Sequence, residues 1–366
     1  MTNTDSVIAL RHTLHAHAER SNQETKTRAI IKDFLKTQTD TRIEDRGSWL
    51  YAVHEEEGAK ETLVFRADHD AIVNSHGTVY HGCGHDGHTA MLAGCAQALS
   101  GQRLGKNIVY LFQPAEENGT GAALCTPLFS EYRVDAVYGL HNMPGVEKNL
   151  LLARPGTMQY ASEGLTLDFL GKQSHASQPE NGINPAFAVA KLMLALQPFH
   201  KKQAQPLTLG DLTFSGPVYA TIVHARIGNE NFGISPGEGT LSCTIRAEKD
   251  TDLTKLAEGL LQLAHDTAGP LRIQTKTTDA FPETRNDPAL YEKTTQILKE
   301  AGLLVQTMQE PLRGSEDFGV YKDFAPTFFC FLGAGKDYPP LHTDEYEFPD
   351  EIAETGIRFF TTIARA

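Results

Sequence analysis

The chain has 366 residues, of which 40% are hydrophobic and 22% are charged, and its formal net charge is −13 at pH 7. This length predicts two domains, and the composition is typical of a soluble globular protein. The acidic balance argues against a nucleic-acid partner and against binding to anionic membranes, because the chain lacks the basic charge that would neutralise phosphates.

Neither a secretory signal nor a membrane segment is expected. The first five residues contain no basic segment followed by an apolar run, and no apolar stretch is long enough to span a bilayer. The chain has five cysteines, an odd number with scattered spacing, which argues against a disulfide framework. A reducing cytoplasm therefore fits best.

The first hundred residues alternate between helical and strand-like stretches. Helical periodicity predicts amphipathic helices over 5–18 and 24–36, and a stretch that is apolar nearly all round predicts a buried helix over 89–99. Two strand-like runs lie at 48–54 and 61–67, and we interpret them as a hairpin or as neighbouring strands.

Three predicted strands each run directly into chemically active residue types. The strand at 61–67 runs into Asp68-His69-Asp70, the strand at 107–112 into Gln113-Pro114-Ala115-Glu116-Glu117, and the strand at 134–140 into His141. Open α/β sheets build their sites beyond the carboxyl ends of strands. The pattern therefore predicts an α/β sheet with a site along one edge.

The pattern changes between residues 164 and 279. The predicted order is a strand, a helix, two strands, a helix and a strand, at 165–170, 185–196, 219–227, 239–246, 253–265 and 271–278. This βαββαβ order is the split βαβ sandwich, so 164–279 is predicted to be a complete inserted domain. The α/β pattern then resumes, with a helix predicted from Glu316, so 1–163 and 280–366 are predicted to form one discontinuous domain.

Residues 81–88 combine a thiol, an acid and three imidazoles with three glycines. Ligand types this dense, on a backbone freed by glycine, predict a metal site; the alternative is a loop whose histidines only form hydrogen bonds. A two-metal hydrolase needs about three protein ligands per ion. The candidates at the strand ends and in the C-terminal half are Cys83, His85, Glu117, His141 and His342.

The adjacent acids Glu116 and Glu117 suggest a division of roles. Neighbouring residues in an extended segment point in different directions, so one can bind a metal while the other faces the attacking water as a general base. A solvated loop is the alternative for such a pair. The Cys83 thiolate could bridge two cations.

Six motifs along the chain resemble those of one enzyme group. They are Arg66–Ala71, His81–Thr89, Gln113–Glu117, Gly139–Pro144, Gly171–Pro179 and Gly314–Phe318. In content and order they resemble the aminoacylase/carboxypeptidase-type metallopeptidases, in the branch of hippurate hydrolases and indole-acetyl-amino-acid amidohydrolases. The resemblance covers nearly the whole chain.

The resemblance implies a zinc-peptidase-like catalytic domain, with a mixed sheet flanked by helices, and an inserted ferredoxin-like lid that often dimerises. It also implies two divalent ions, manganese or zinc, with cobalt or nickel as further candidates. It gives Cys83, His85, Glu117, His141 and His342 as metal ligands and Glu116 as the base.

Further roles are expected around this metal site. The resemblance implies that His175 of the lid reaches the scissile carbonyl, in several relatives from the partner subunit, where it would stabilise the oxyanion. We expect Asp70 to orient a ligand or the base. Asn231 is a candidate substrate contact, and Arg246 is expected to meet a substrate carboxylate or to form a structural salt bridge.

Two segments depart from the family's pattern. The usual Asp-Met-Asp-Ala-Leu-Pro is Asp68-His69-Asp70-Ala71-Ile72-Val73 here, without the proline and with an extra imidazole at His69. The usual Asn-Val-Ile-Pro of the lid is Asn231-Phe232-Gly233-Ile234-Ser235-Pro236. The first departure is expected to change the loop geometry, and the second is expected to alter substrate contacts in the lid loop.

The leading hypothesis is a cytoplasmic, dinuclear metal-dependent amidohydrolase that hydrolyses an N-acyl amino acid, or a similar small linear amide, to a carboxylic acid and an amino acid. The alternatives are a dipeptidase or carboxypeptidase acting on unblocked peptides, and a non-catalytic, metal-loaded binding protein. The intact ligand set together with its base argues against the last. The expected partners are a small-molecule substrate and a second copy of the chain, bound through the lid.

Overall fold

The computed structural model describes residues 4–201 and 207–366, so residues 1–3 and 202–206 of the predicted domain ranges lie outside the described residues. The chain divides into two compact units. The first contains the chain up to Met158 with Thr284–Pro311 and Glu316–Ala366, and the second contains Gln159–Glu283 with Leu312–Ser315. The sequence placed Leu312–Ser315 in the catalytic domain, but the backbone N–H of Tyr160 donates to the Leu312 and Gly314 carbonyls at 3.0 and 3.1 Å.

The first unit begins with helices and strands in alternation. They are α1 (Thr4–His15), α2 (Thr25–Gln38), β1 (Arg42–Asp45), β2 (Leu50–His54), β3 (Thr62–Asp68), β4 (Ile72–Val73), β5 (Val79–Tyr80), α3 (His85–Leu99), β6 (Asn107–Gln113), α4 (Gly121–Cys125), α5 (Leu128–Glu131), β7 (Ala136–Pro144), β8 (Leu151–Ala153) and β9 (Gly156–Gln159).

The second unit contains the predicted βαββαβ order. Its elements are β10 (Ala161–Leu170), β11 (Ser174–His175), α6 (Ala186–Leu196), β12 (Thr208–Leu209), β13 (Leu212–Thr213), β14 (Val218–Ile227), β15 (Ile234–Ser235), β16 (Glu238–Ala247), α7 (Asp250–Ala268) and β17 (Arg272–Phe281). The four long strands form an antiparallel sheet in the order β14-β16-β10-β17. Apolar side chains of α6 and α7, such as Leu192 and Leu256, pack with those of the sheet in one buried cluster.

The chain then returns to the first unit. Its last elements are β18 (Thr284–Asn286), α8 (Pro288–Glu300), β19 (Val305–Thr307), β20 (Thr327–Gly335) and α9 (Ala353–Arg365). The helix predicted from Glu316 is a short 3-10 helix over Asp317–Asp323. No helix within residues 4–201 or 207–366 has the length and apolar character required to cross a membrane.

The main sheet of the first unit is mixed, with the order β1-β2-β6-β3-β7-β20-β8-β19. Strands β3, β6, β7 and β20 run parallel, and β2 pairs antiparallel with β6. This arrangement confirms the predicted α/β class with a mixed sheet. The predicted pairing of β2 with β3 is wrong, because β6 lies between them; both runs are fully buried, so burial patterning alone could not reveal their order.

The sheet and its helices share one hydrophobic core. Val7 of α1, Ile31 of α2, Met91 of α3 and Phe360 of α9 pack in the same buried cluster as Phe65 of β3. Because β3, β6 and β7 are parallel neighbours, their carboxyl ends lie at one edge of the sheet. The residues that follow these strands are therefore brought together.

Candidate metal centre and active site

The loop before α3 fixes the Cys83–His85 corner of the site. Gly84 has φ +87°, and a Cβ added there would lie 2.0 Å from Asn142 Oδ1, so only glycine fits. Asn142 Nδ2 donates to the Cys83 carbonyl at 3.1 Å, and Tyr346 donates its hydroxyl proton to Asn142 Oδ1 at 2.9 Å. These contacts orient Cys83 and His85 toward the carboxyl ends of the strands.

Two histidines from distant parts of the chain lie next to the Cys83 thiol. Its sulfur is 3.5 Å from His141 Nε2 and 3.3 Å from His342 Nε2. His342 has φ +65°, a costly conformation for a residue with a side chain, and its backbone N–H donates to the Gly82 carbonyl at 2.8 Å. That local strain turns the C-terminal segment so that its imidazole reaches the cluster.

The carboxylate of Glu117 completes the cluster. Glu117 Oε1 lies 3.8 Å from His85 Nε2 and 3.7 Å from His342 Nε2. Glu117 Oε1 and His85 Nε2 are both buried and have no hydrogen-bond partner among the described residues. Buried polar atoms are almost always satisfied, so these two orphaned atoms mark a position that a cation would fill. The five predicted ligands thus converge in overlapping groups that could hold a metal ion.

The electrostatics of the cluster also fit a cation. Burial lowers the pKa of His85, but the carboxylates of Asp68, Asp70 and Glu117 raise it to about 10. Burial, helped by the charge of Asp70, raises the pKa of Glu117 to about 7. Burial and the two acids Glu117 and Glu116 raise the pKa of the Cys83 thiol well above its usual range. A divalent ion would offset the negative charge of these buried acids. It would therefore favour the ionised forms of the ligands.

Glu116 lies beside the cluster with its side chain buried. Its Oε2 is 4.0 Å from His85 Nε2, and burial together with the charges of Glu316 and Glu117 raises its pKa well above the usual range. The preceding residue, Ala115, has φ +51°, and its N–H donates to Glu24 Oε1 at 2.8 Å. Because of this turn, the side chains of the neighbouring residues Glu116 and Glu117 take different positions beside the cluster.

Asp70 contacts a predicted ligand without belonging to the cluster itself. His85 Nδ1 donates to Asp70 Oδ1 at 3.2 Å, which leaves His85 Nε2 to face the cluster. The other oxygen, Asp70 Oδ2, accepts from the Ser21 hydroxyl at 2.7 Å and from the Glu117 N–H at 3.1 Å. Asp70 therefore links two predicted ligands to the turn between α1 and α2.

The sequence analysis did not predict a network of buried charged side chains that lies beneath the cluster. The Arg66 guanidinium is fully buried and lies 2.7 Å from Asp68 and 2.9 Å from both Glu316 and Asp317. His88 Nδ1 donates to Asp68 Oδ1 at 2.6 Å, and His88 Nε2 accepts from the Asn142 N–H at 3.0 Å. The signal that could have revealed this network is an arginine within an otherwise apolar strand.

Two further buried histidines have no assigned partner. Both ring nitrogens of His69 and of His81 lack a hydrogen bond to any described residue. Burial lowers the pKa of His69 to about 3 and also lowers that of His81, so both rings are neutral. Within the described chain, neither belongs to a group of side chains placed to share a metal ion.

The remaining predicted site residues belong to the second unit. His175 in β11 pairs with Ile234 of β15, directly after the loop that contains Asn231. The Ser177 N–H donates to His175 Nδ1 at 3.1 Å, so Nδ1 is the acceptor and the ring N–H is on Nε2. Asn231 Oδ1 accepts from the Gly233 N–H at 3.0 Å.

Arg246 lies apart from that small sheet, in β16. Its Nη1 donates to the Arg313 carbonyl at 2.7 Å and to the Ser315 hydroxyl at 3.0 Å. Among the described residues of this unit it has no carboxylate partner, so the expected alternative of a structural salt bridge is not what the structure contains.

Comparison with known proteins agrees with this geometry. A family model described as Peptidase family M20/M25/M40 matches residues 52–366. The chain belongs to this family. As a member of the M20/M25/M40 peptidases it is a hydrolase of the peptidase and amidohydrolase kind, with groups of side chains suited to binding metal.

Individual relatives match over nearly the full length. The chain is 27% identical over 389 residues to an uncharacterized hydrolase of Staphylococcus aureus, covering 99% of this chain and 98% of the relative. It is 27% identical over 379 residues to the hippurate hydrolase of Campylobacter jejuni, covering 97% and 94%. A dinuclear metal-binding peptidase of the M20 family from Bacillus subtilis has the same fold, with a TM-score of 0.83 at 21% identity, covering 99% and 97%.

Proposed function

We propose that this chain is a two-metal amidohydrolase that cleaves N-acyl amino acids, or similar small linear amides, to a carboxylic acid and an amino acid. The main support is the convergence of five potential metal ligands beside the buried Glu116, whose Oε2 lies 4.0 Å from His85 Nε2. The similarity to a relative named hippurate hydrolase supports an amide substrate of this size.

The residues proposed to hold the two divalent ions are Cys83, His85, Glu117, His141 and His342. Thiolate, imidazole and carboxylate ligands suit zinc, cobalt and nickel, and the carboxylate also admits manganese. When bound, the ions supply Lewis acidity to the amide carbonyl and to the attacking water. Cys83 lies within 3.5 Å of two imidazoles, which supports its role as a ligand that would act together with them.

Glu116 is the proposed general base. Its carboxylate takes a proton from the attacking water and delivers it to the nitrogen of the leaving amine. Burial and the neighbouring acids Glu316 and Glu117 raise the pKa of Glu116, which makes its carboxylate a stronger proton acceptor than a solvated acid. Asp70 keeps His85 oriented through the hydrogen bond between their Oδ1 and Nδ1 atoms.

The second unit is proposed to supply substrate contacts. His175 would donate its Nε2 proton to the oxyanion of the tetrahedral intermediate, and the Ser177 N–H that fixes its tautomer supports this role. Arg246 is the proposed partner of the amino-acid carboxylate, since it has no carboxylate partner among the described residues of its own unit. Asn231 is proposed to contact the substrate from the adjacent loop.

We also propose that the enzyme is a cytoplasmic homodimer formed through the inserted domain. Strand β14 is an edge strand of its sheet, and its Val223 is 62% exposed. Leu194 of α6 is 68% exposed. An unpaired edge with apolar neighbours is a surface on which a second copy can add its own edge strand. The five cysteines are free, as expected for a reducing compartment.

The decisive experiment is turnover by chelator-stripped chain reconstituted with manganese, zinc or cobalt. The substrates are N-acetyl and N-benzoyl amino acids and the matching unblocked dipeptides. We expect metal-dependent release of the amino acid from the N-acyl series. Preference for the dipeptides would favour a peptidase, and absence of turnover with all three metals would contradict the proposed function.

A further inference from the structure

A cavity of about 660 Å³ lies within the first unit, directly beside the proposed metal ligands. Glu117 and His342 form part of its wall, so a group that fills the cavity lies next to the metal centre. Small-molecule pockets of this size are usually lined by apolar and aromatic side chains. None of the described residues in this wall is a phenylalanine, tyrosine or tryptophan, and most are polar.

Arg20 provides the only arginine or lysine side chain among the described residues of this wall. It is exposed, and its guanidinium has neither an ion pair nor a hydrogen bond within the described chain. Gln23 and Ser75 line the same cavity, and their side-chain donors are likewise unpaired among the described residues. The wall therefore offers a cation and neutral donors that a ligand could engage.

Two acids also line the cavity, and each already has a neighbour. The Asp344 carboxylate lies 3.7 Å from His76 Nε2 on the exposed rim. Glu117 Oε1 faces the imidazoles of His85 and His342 in the proposed metal centre. Arg20 is therefore the charged side chain of this wall that has no oppositely charged partner among residues 4–201 and 207–366.

Hydrogen bonds of the residues before and after Arg20 hold its backbone in place relative to the metal centre. The preceding residue, Glu19, accepts a hydrogen bond from the Ala71 N–H at 2.9 Å. The following residue, Ser21, donates to Asp70 Oδ2 at 2.7 Å. Because Asp70 also contacts His85, the same turn supports a proposed ligand and presents Arg20 to the cavity.

We propose that this cavity binds an acyl group that ends in a carboxylate, and that Arg20 is the ion-pair partner of that carboxylate. The inference rests on the proposed amidohydrolase function, in which Arg246 is assigned to the amino-acid carboxylate and the acyl side is left for this cavity. A half-amide of a short dicarboxylic acid, such as an N-succinyl amino acid, has this chemistry. A benzoyl group has no charge that could pair with the guanidinium, so it would gain less from Arg20 than a carboxylate would.

The test uses the metal-loaded full-length chain and substrates that share one amino acid but differ in the acyl group: succinyl, acetyl and benzoyl. We expect the highest kcat/KM for succinyl. Arg20→Gln should lower kcat/KM for succinyl by about tenfold, mainly through KM, because a contact made equally in the ground and transition states affects binding. The value for acetyl should stay within about twofold.

Two controls separate charge recognition from structural damage. Arg133→Gln removes an arginine whose side chain is 93% exposed, and it should leave all three substrates unaffected. Arg20→Lys keeps the charge and should retain part of the preference for succinyl. Added salt should raise KM for succinyl more than for acetyl, since an exposed ion pair is screened.

Several outcomes would overturn the inference while leaving the proposed function intact. One is an Arg20→Gln enzyme in which succinyl and acetyl turnover fall equally. Another is a loss of kcat/KM in Arg20→Gln that depends on the amino acid and not on the acyl group, as measured with a series of N-acetyl amino acids. Failure of the wild-type enzyme on every N-acyl substrate would instead contradict the proposed function itself.

Discussion

His85 Nδ1 donates to Asp70 Oδ1 at 3.2 Å, and His85 Nε2 faces Glu117, buried and without a hydrogen bond to any described residue. The Asp70 carboxylate and the Asp70 backbone carbonyl, 3.1 Å from the same Nδ1, together set the direction of an imidazole ligand. The second oxygen of the carboxylate accepts from the N–H of Glu117, so two proposed ligands depend on the same side chain. Hydrogen-bond partners of this kind tune metal sites nearly as strongly as the ligands themselves.

Replacing Asp70 by alanine is therefore expected to weaken metal binding by about 10- to 100-fold. His85 would lose its carboxylate partner and keep only the Asp70 backbone carbonyl, 3.1 Å from Nδ1, while every proposed ligand stays in the chain. Titration of the chelator-stripped protein with zinc, followed by calorimetry, measures the change. Asp33→Ala, at an exposed position on α2, is the matched control and should bind metal as the wild type does. Unchanged affinity in Asp70→Ala would remove Asp70 from the site.

Glu116 and Glu117 should separate catalysis from metal binding. Glu116→Gln is expected to keep its metal content and to lose turnover by a factor on the order of 10² to 10⁴, since it removes only the general base. Glu117→Gln is expected to lose metal, because it removes a ligand from the cluster. Metal analysis after gel filtration and kcat for an N-acetyl amino acid distinguish the two. Near-wild-type turnover in fully loaded Glu116→Gln would contradict its role.

Much of the fold could be predicted because hydrophobic periodicity and element order are local properties. The predicted strand at 165–170 and helix at 185–196 correspond to β10 and α6, and the βαββαβ order is present in full. The order of the strands in the main sheet was harder to predict. β2 and β3 are both fully buried, so their side-chain patterns contain no information about which strand separates them.

The candidate site was predicted to the extent that its residues follow strand ends. Glu117 and His141 were predicted in this way, because parallel neighbours bring their carboxyl ends together. Ser21 and Glu24 were missed, since polar residues in a turn between helices look solvated, yet they contact Asp70 and Ala115 across the fold. Such contacts depend on tertiary packing and leave no periodic signal.

Arg66→Met is expected to destabilise the protein by about 3–5 kcal/mol. The substitution leaves Asp68, Glu316 and Asp317 buried without the cation that lies within 2.9 Å of each of them. Urea unfolding monitored by circular dichroism measures the loss. Arg133→Met removes an exposed arginine whose ion pair with Asp135 spans 3.9 Å, and it should cost at most about 1 kcal/mol. Equal stability of the two variants would show that the buried network contributes little.

Glu24→Gln is expected to stabilise the protein increasingly as the pH rises. Burial raises the pKa of Glu24 from 4.5 to about 7, so between these values the folded state holds a proton that the unfolded chain has released. Because the folded state binds more protons in that window, the wild-type free energy of unfolding falls as the pH rises through it. Glutamine cannot ionise, and its Oε1 can still accept from the Ala115 N–H.

The stability difference between Glu24→Gln and the wild type should therefore be small near pH 4.5 and reach the order of 2 kcal/mol by pH 8. Denaturant unfolding at several pH values measures it, with Glu57→Gln at an exposed position as the control. A difference that does not change between pH 4.5 and 8 would mean that Glu24 titrates alike in both states. In that case the hydrogen bond from the Ala115 N–H would cancel the effect of burial on the pKa of Glu24. The turn before Glu116 would then be held by an ionised carboxylate at all working pH values.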